Sequence, residues 1–110
     1  MKVSLVMPTI NVTTELELFL KSLKTQTYRD FELIVVDQNE GNEVFEIVKN
    51  YEEEFKIKYA KSDEKGLSLN RNRGLVLMEG EIVGFPDDDC EYQPDTLEKV
   101  VAFFEKKKDY

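Results

Sequence analysis

Short, almost wholly apolar runs alternate along this chain with segments whose apolar residues recur at helical spacing, and that alternation leaves few folds open. Val3 to Met7 is the first run; ended by Pro8, it reads as a strand buried on both faces. Thr14 and Glu17 have the spacing of a capping box, and Leu16, Phe19, Leu20 and Leu23 then predict a helix to Gln26. Phe31 to Val36, rich in β-branched residues, is a second strand, stopped at Asp37 by the polar turn Gln38, Asn39, Glu40 and Gly41. Asn42 can cap a helix with Val44, Ile47, Val48 and Tyr51 on one face. Phe55, Ile57 and Tyr59 alternate with Lys56, Lys58 and Ala60, the pattern of an edge strand. Ser68 to Met78 predicts a helix in spite of Gly74, and Glu81 to Phe85 a fourth strand. Pro94 to Phe104 predicts a last helix with Leu97, Val100, Val101 and Phe104 turned inward.

Strand followed by helix, four times over, predicts an α/β fold with a Rossmann-like, mainly parallel four-stranded sheet flanked by helices. Folds of this kind bind ligands beyond the carboxyl ends of their strands. With 110 residues the chain is one domain at most, and it carries no internal repeat, low-complexity tract or interdomain linker.

A formal net charge of −8, with Lys and Arg scattered except for Lys106 to Lys108, argues against a nucleic-acid partner. An anionic ligand such as a nucleoside diphosphate would need a divalent cation or well-placed arginines to reverse the local field. The single cysteine, Cys90, forms no internal disulfide and reads as a small packing residue. With no secretory signal at the start, the expected compartment is the cytoplasm, the inner face of the membrane included. No apolar run is long enough to span a bilayer. The absence of histidine removes His-based triads and His metal ligands, so acids, bases and metal ligands must be mainly carboxylates.

Three groups of residues follow the strands: Pro8, Thr9, Ile10 and Asn11; Asp37, Gln38 and Asn39; Pro86, Asp87, Asp88, Asp89 and Cys90. Consecutive carboxylates are costly, since like charges near 4 Å repel by roughly 4 kcal/mol per pair at an effective dielectric of about 20. A divalent cation offsets that repulsion, and an all-oxygen set suits Mg²⁺ or Mn²⁺. On an extended backbone Asp87 and Asp89 point the same way and Asp88 away, which gives the ligand-facing work to the outer pair. Asn70, Arg71, Asn72 and Arg73, after the loop Lys65 to Ser68, offer guanidinium groups that can hold a diphosphate.

Five blocks in order resemble family-2 glycosyltransferases of the GT-A fold, particularly those of bacterial surface-polysaccharide synthesis. They are Val3 to Asn11; Leu20 to Tyr28, reading Leu-x-Ser-Leu-x-x-Gln-Thr-Tyr; Phe31 to Asp37; Leu67 to Gly74; and Phe85 to Cys90. The resemblance implies inverting transfer from a nucleoside-diphosphate sugar, UDP- or dTDP-linked, to a glycan or lipid-linked acceptor. It implies a donor site of Pro8, Thr9, Asn11, Asp37, Arg71, Asp87 and Asp88. Within that site Thr9 and Asp37 would contact the base, Arg71 would match the family's Ala-Arg-Asn arginine, and Asp87 would lie at the ribose and phosphate side. Asp87 to Asp89 would be the DXD motif, with Asp89 and Asp87 holding Mg²⁺ or Mn²⁺. The chain departs from the family at Gln38-Asn39-Glu40, where Asp-Gly-Ser is usual, at Leu69-Asn70 before Arg71, and at Cys90, where a further Asp is common. Acceptor binding and the catalytic base belong to the family's second half, so residues 1–110 are expected to form a donor domain without them.

Three other readings stand beside this one at the level of sequence. A non-catalytic interaction module could keep the fold. A nucleotidyltransferase would want a glycine-rich basic loop after the first strand, where Pro8 to Asn11 stands, and a receiver domain would want its acidic pair there.

Overall fold

The computed structural model describes residues 1–107, so Lys108 of the terminal basic run lies outside the described residues. The chain forms β1 (Val3–Thr9), α1 (Thr14–Lys24), β2 (Phe31–Asp37), α2 (Glu43–Lys49), β3 (Lys56–Lys61), α3 (Leu67–Leu75), β4 (Ile82–Gly84) and α4 (Thr96–Lys107). The strands make one sheet in the order β3-β2-β1-β4, every pairing parallel. The two most apolar runs occupy the centre, where every residue of β1 and β2 is buried. The alternating run forms β3 at the edge, exposed at both ends and half-buried between, as its pattern predicts.

Side-chain alternation divides the core in two. Leu5, Met7, Leu33 and Val35 pack against α1, α2 and α4 on one face of the sheet. Val6, Ile34 and Val36 meet Leu75 and Met78 on the other. Here Gly74 explains itself, because a Cβ at that position would run into Val6 and press on Val36. The glycine costs α3 some intrinsic stability and gains a close seat on the sheet. Pro8 continues β1 rather than ending it, paired with Val36, but the β4 pairing stops at Leu5 opposite Gly84. At Pro8 the strand therefore has one partner, a position where a missing N–H is tolerated.

The sheet also buries a carboxylate near the amino ends of its strands. Glu32 accepts hydrogen bonds from Ser4 Oγ at 2.6 Å and the Glu79 N–H at 2.7 Å, with Lys58 Nζ 3.1 Å from its other oxygen. Burial pushes the Glu32 carboxyl up, and these donors together outweigh burial, so it titrates below the ordinary range.

Several local expectations need correction. The capping box does not form: Thr13 is the N-cap of α1, with no side-chain bond, and Thr14 is already helical. Asn42 occupies the N-cap of α2, also without a side-chain bond. α3 begins one residue earlier and ends three earlier than predicted, and β4 keeps only three residues. On α4 the inward stripe ends at Val101, while Phe104 is 43% exposed and stacks edge-on against Phe103. Helical spacing shows which residues share a face but not how far that face is covered.

Candidate functional site: a cleft at the carboxyl ends of the strands

The parallel register brings Thr9 opposite Asp37, and Asp37 opposite Lys61. Asp37 is fully buried, yet every lone pair has a use. Its Oδ1 accepts the backbone and side-chain N–H of Asn39, both at 2.9 Å; its Oδ2 accepts the Tyr59 hydroxyl at 2.5 Å and lies 3.4 Å from Lys61 Nζ. Burial pushes the Asp37 carboxyl up, and the Tyr59, Asn39 and Lys61 contacts bring it back below the ordinary range. Burial and the same carboxylate raise the Tyr59 phenol well above its usual value.

The order continues outward from this anchor. Asn39 Oδ1 accepts the Asn11 N–H at 2.8 Å, and Asn11 sits in the left-handed region at φ 61°. Asparagine is one of the few residues other than glycine that adopts this conformation readily. Gln38 Oε1 accepts the Gly66 N–H at 3.0 Å, tying the β3–α3 loop to the end of β2. Asn70, fully buried, closes the same loop by donating from Nδ2 to the carbonyls of Glu64 and Gly66. After β4, the Asp88 carboxylate accepts the Ile10 N–H at 3.3 Å and draws the acidic segment to the loop after β1.

Between these loops lie two adjoining hollows, of about 530 and 330 Å³, sharing Ile10, Gln38 and Lys65. Asn11, Thr13, Asn39, Glu40, Gly41 and Glu43 wall the larger; Pro8, Gly66, Leu67, Pro86, Asp87 and Asp88 wall the smaller. A cleft of this volume is in the range of small-molecule sites, and it opens where α/β sheets bind ligands.

Of the residues singled out in the sequence, Pro8, Asn11, Asp87 and Asp88 line the cleft. Thr9 and Asp37 lie fully buried at the strand ends, and Thr9 Oγ1 has no hydrogen-bond partner among the described residues. Arg71 and Asp89 are not among the lining residues. The Arg71 guanidinium stacks over Phe85, 5.2 Å from the ring centroid, while Arg73 is taken up by Ser62 and Glu64. The alternation assumed for the aspartates does not hold. Residues 87–90 turn, with the Cys90 N–H donating to the Asp87 carbonyl at 3.4 Å, and the sequence neighbours Asp87 and Asp88 both line the smaller hollow, with Asp88 bonded to the Ile10 N–H. Cys90 packs against the core and burial raises its thiol, in keeping with a packing role.

A divalent cation is compatible with this donor set. The carboxylates of Asp87 and Asp89 have no hydrogen-bond or ion-pair partner among the described residues, and the donors are hard oxygens. No group of three acidic or thiol side chains is gathered on one point among the described residues. Mg²⁺ sites characteristically take one or two carboxylates and complete their shell with substrate phosphates and water. Sequence reasoning gave no role to Lys65 and Gly66. The one available signal was a Lys-Gly pair just before a predicted helix start, which is weak alone.

Comparison with known proteins bears on this geometry. The family model described as Glycosyl transferase family 2 matches residues 4–110. A Campylobacter jejuni protein, GalNAc(5)-diNAcBac-PP-undecaprenol beta-1,3-glucosyltransferase, is 37% identical over 93 residues, 82% of this chain and 30% of its own length. The crystal structure of Staphylococcus aureus TarS 1-349 in complex with UDP-GlcNAc superposes with a TM-score of 0.89 at 31% identity, covering 96% of this chain and 32% of that one. The mannosyltransferase PcManGT from Pyrobaculum calidifontis, in complex with GDP-Man and Mn²⁺, superposes with a TM-score of 0.83 at 26% identity, covering 91% and 31%. The chain thus spans about a third of the length of each of these proteins. Among the described residues no helix is long and apolar enough to cross a membrane.

Proposed function

Since the chain belongs to glycosyl transferase family 2, we propose that it is the donor domain of a glycosyltransferase, binding a UDP- or dTDP-linked sugar for inverting transfer to a glycan or lipid-linked acceptor in surface-polysaccharide synthesis. The observation that carries this reading is the cleft across the strand ends, with the amides of Asn11, Gln38 and Asn39, the Thr13 hydroxyl and the carboxylates of Glu40 and Glu43 around the larger hollow, and Asp87 and Asp88 on the smaller. The larger hollow suits a base and ribose, and the smaller suits the diphosphate and sugar.

In this reading Pro8 and Asn11 border the nucleoside, and Asp37 with Thr9 supports the floor beneath it. Arg71 adds positive charge behind Phe85. Asp88 holds the acidic turn against Ile10, while Asp87 and Asp89 are the residues that would hold Mg²⁺ or Mn²⁺. When bound, such an ion supplies Lewis-acid stabilisation to the charge that develops on the departing diphosphate. The work of this chain's own residues is to bind and orient the donor. No residue of this chain is proposed as the base that deprotonates the acceptor hydroxyl.

Isothermal titration of UDP and dTDP into the chain, with and without Mn²⁺ and again on Asp89→Ala, tests the proposal. Metal-dependent binding lost in the variant supports it and identifies the base. A folded chain that binds neither nucleotide is an interaction module instead.

A further inference from the structure

The one run of cations in the sequence, Lys106 to Lys108, adjoins exposed aromatic surface in the structure. Leu97 and Val101 anchor α4 in the core, and every described residue after Val101 is exposed. Phe103 is 57% and Phe104 43% exposed, and their rings meet edge-on with centroids 5.6 Å apart. The Lys107 ammonium lies over the Phe103 ring, 5.7 Å from its centroid, and Lys106 has no hydrogen-bond or ion-pair partner among the described residues. Helical spacing sets Lys99, Phe103 and Lys106 in line on the side away from Leu97 and Val101, while Glu105 falls in line with those buried residues. Lys99 is paired with Asp95 at 3.1 Å, an exposed contact. Glu98 is drawn toward the α1–β2 connection, where it accepts the Thr27 hydroxyl at 3.1 Å.

Lysines in a last turn offset the negative end of the helix dipole, a task that needs no phenylalanine left in water. Two rings and three lysines fall short of the roughly 800 Å² a side that a stable protein interface buries. An anionic lipid surface asks for less. Rings enter the boundary between headgroups and acyl chains, lysine stems lie along it, and the ammonium groups reach the headgroup phosphates. We propose that Phe103 and Phe104, with Lys99, Lys106 and Lys107 around them, form a docking patch for an anionic membrane surface. The chain's net charge of −8 does not forbid this, because exposed charges more than about 8 Å apart are largely screened at physiological ionic strength. The acidic remainder instead sets the orientation, since it is repelled by the surface that attracts the patch. None of these residues lines the cleft, so docking does not rest on the donor reading.

Flotation of the chain with phosphatidylcholine vesicles, with and without phosphatidylglycerol, tests the assignment. The chain should float with the anionic vesicles, less so as salt is raised, and stay in solution with phosphatidylcholine alone. Lys106→Gln and Lys107→Gln should each weaken binding about fivefold, and Phe103→Ser about tenfold. These are surface changes, so circular dichroism and the thermal midpoint of each variant should match the parent. The assignment is overturned if anionic vesicles bind no better than neutral ones, or if Lys106→Gln and Phe103→Ser bind them as tightly as the parent chain. It is overturned as well if anionic vesicles are left unbound and light scattering finds a dimer that Phe103→Ser dissociates, which makes the patch a protein interface. UDP binding bears only on the donor reading, so the two can fail separately.

Discussion

The phenol of Tyr59, on the edge strand, donates to Oδ2 of Asp37 at the end of β2, 2.5 Å away. Together with the Asn39 and Lys61 contacts, this bond makes Asp37 an internal anchor from which the loops around the cleft are hung. Tyr59→Phe leaves one oxygen of a buried carboxylate poorly satisfied and should cost about 1–3 kcal/mol, read by urea unfolding at pH 7.

The pH dependence of that variant follows from the direction of the Asp37 shift. Its folded value is depressed, so the stability it contributes is present above the ordinary carboxylate value, near 4, and is lost as pH falls through the lower folded value. Removing the Tyr59 hydroxyl lessens the depression. Unfolding free energies measured between pH 6 and pH 2 should therefore fall less steeply for Tyr59→Phe than for the parent, and an identical slope would show that the hydroxyl does not tune Asp37.

Glu32 lies in the same sheet, away from the cleft, and separates stability from function. Glu32→Ala strips the partner from Ser4, the Glu79 amide and Lys58, and should cost about 3 kcal/mol. Nucleotide affinity at a temperature where the variant remains folded should be unchanged. A parallel loss of affinity would mean that the sheet transmits the defect to the strand ends.

Gly74→Ala places a methyl against Val6 between α3 and the sheet. Although alanine is the better helix former, overpacking should dominate and destabilise by about 1–3 kcal/mol. A raised thermal midpoint would show that α3 moves off the sheet at little cost.

Asn11, at φ 61°, should accept glycine with little change but lose about 1–2 kcal/mol as Asn11→Val, because a β-branched side chain resists that conformation. Comparing the two variants by thermal unfolding isolates the backbone term from the loss of the side chain.

The sequence by itself determined the elements and their order, because strand and helix periods are local properties of side-chain spacing. Val3 to Met7, Phe31 to Val36 and the alternating run after Phe55 became two central strands and one edge strand, as their burial patterns required. It also identified the strand ends as the place to look. What only the tertiary structure decided was which polar groups are spent and which are left over. Asp37 is consumed by Tyr59, which stands 22 residues away, and Asp88 by Ile10, 78 residues away. The turn at residues 87–90 overrode the alternation assumed for three aspartates, and Phe104 faces outward although its spacing matches the buried stripe. Lys65 and Gln38 came into view for the same reason. A residue's spare hydrogen-bonding capacity depends on partners brought together by the parallel register, and no local pattern encodes those partners.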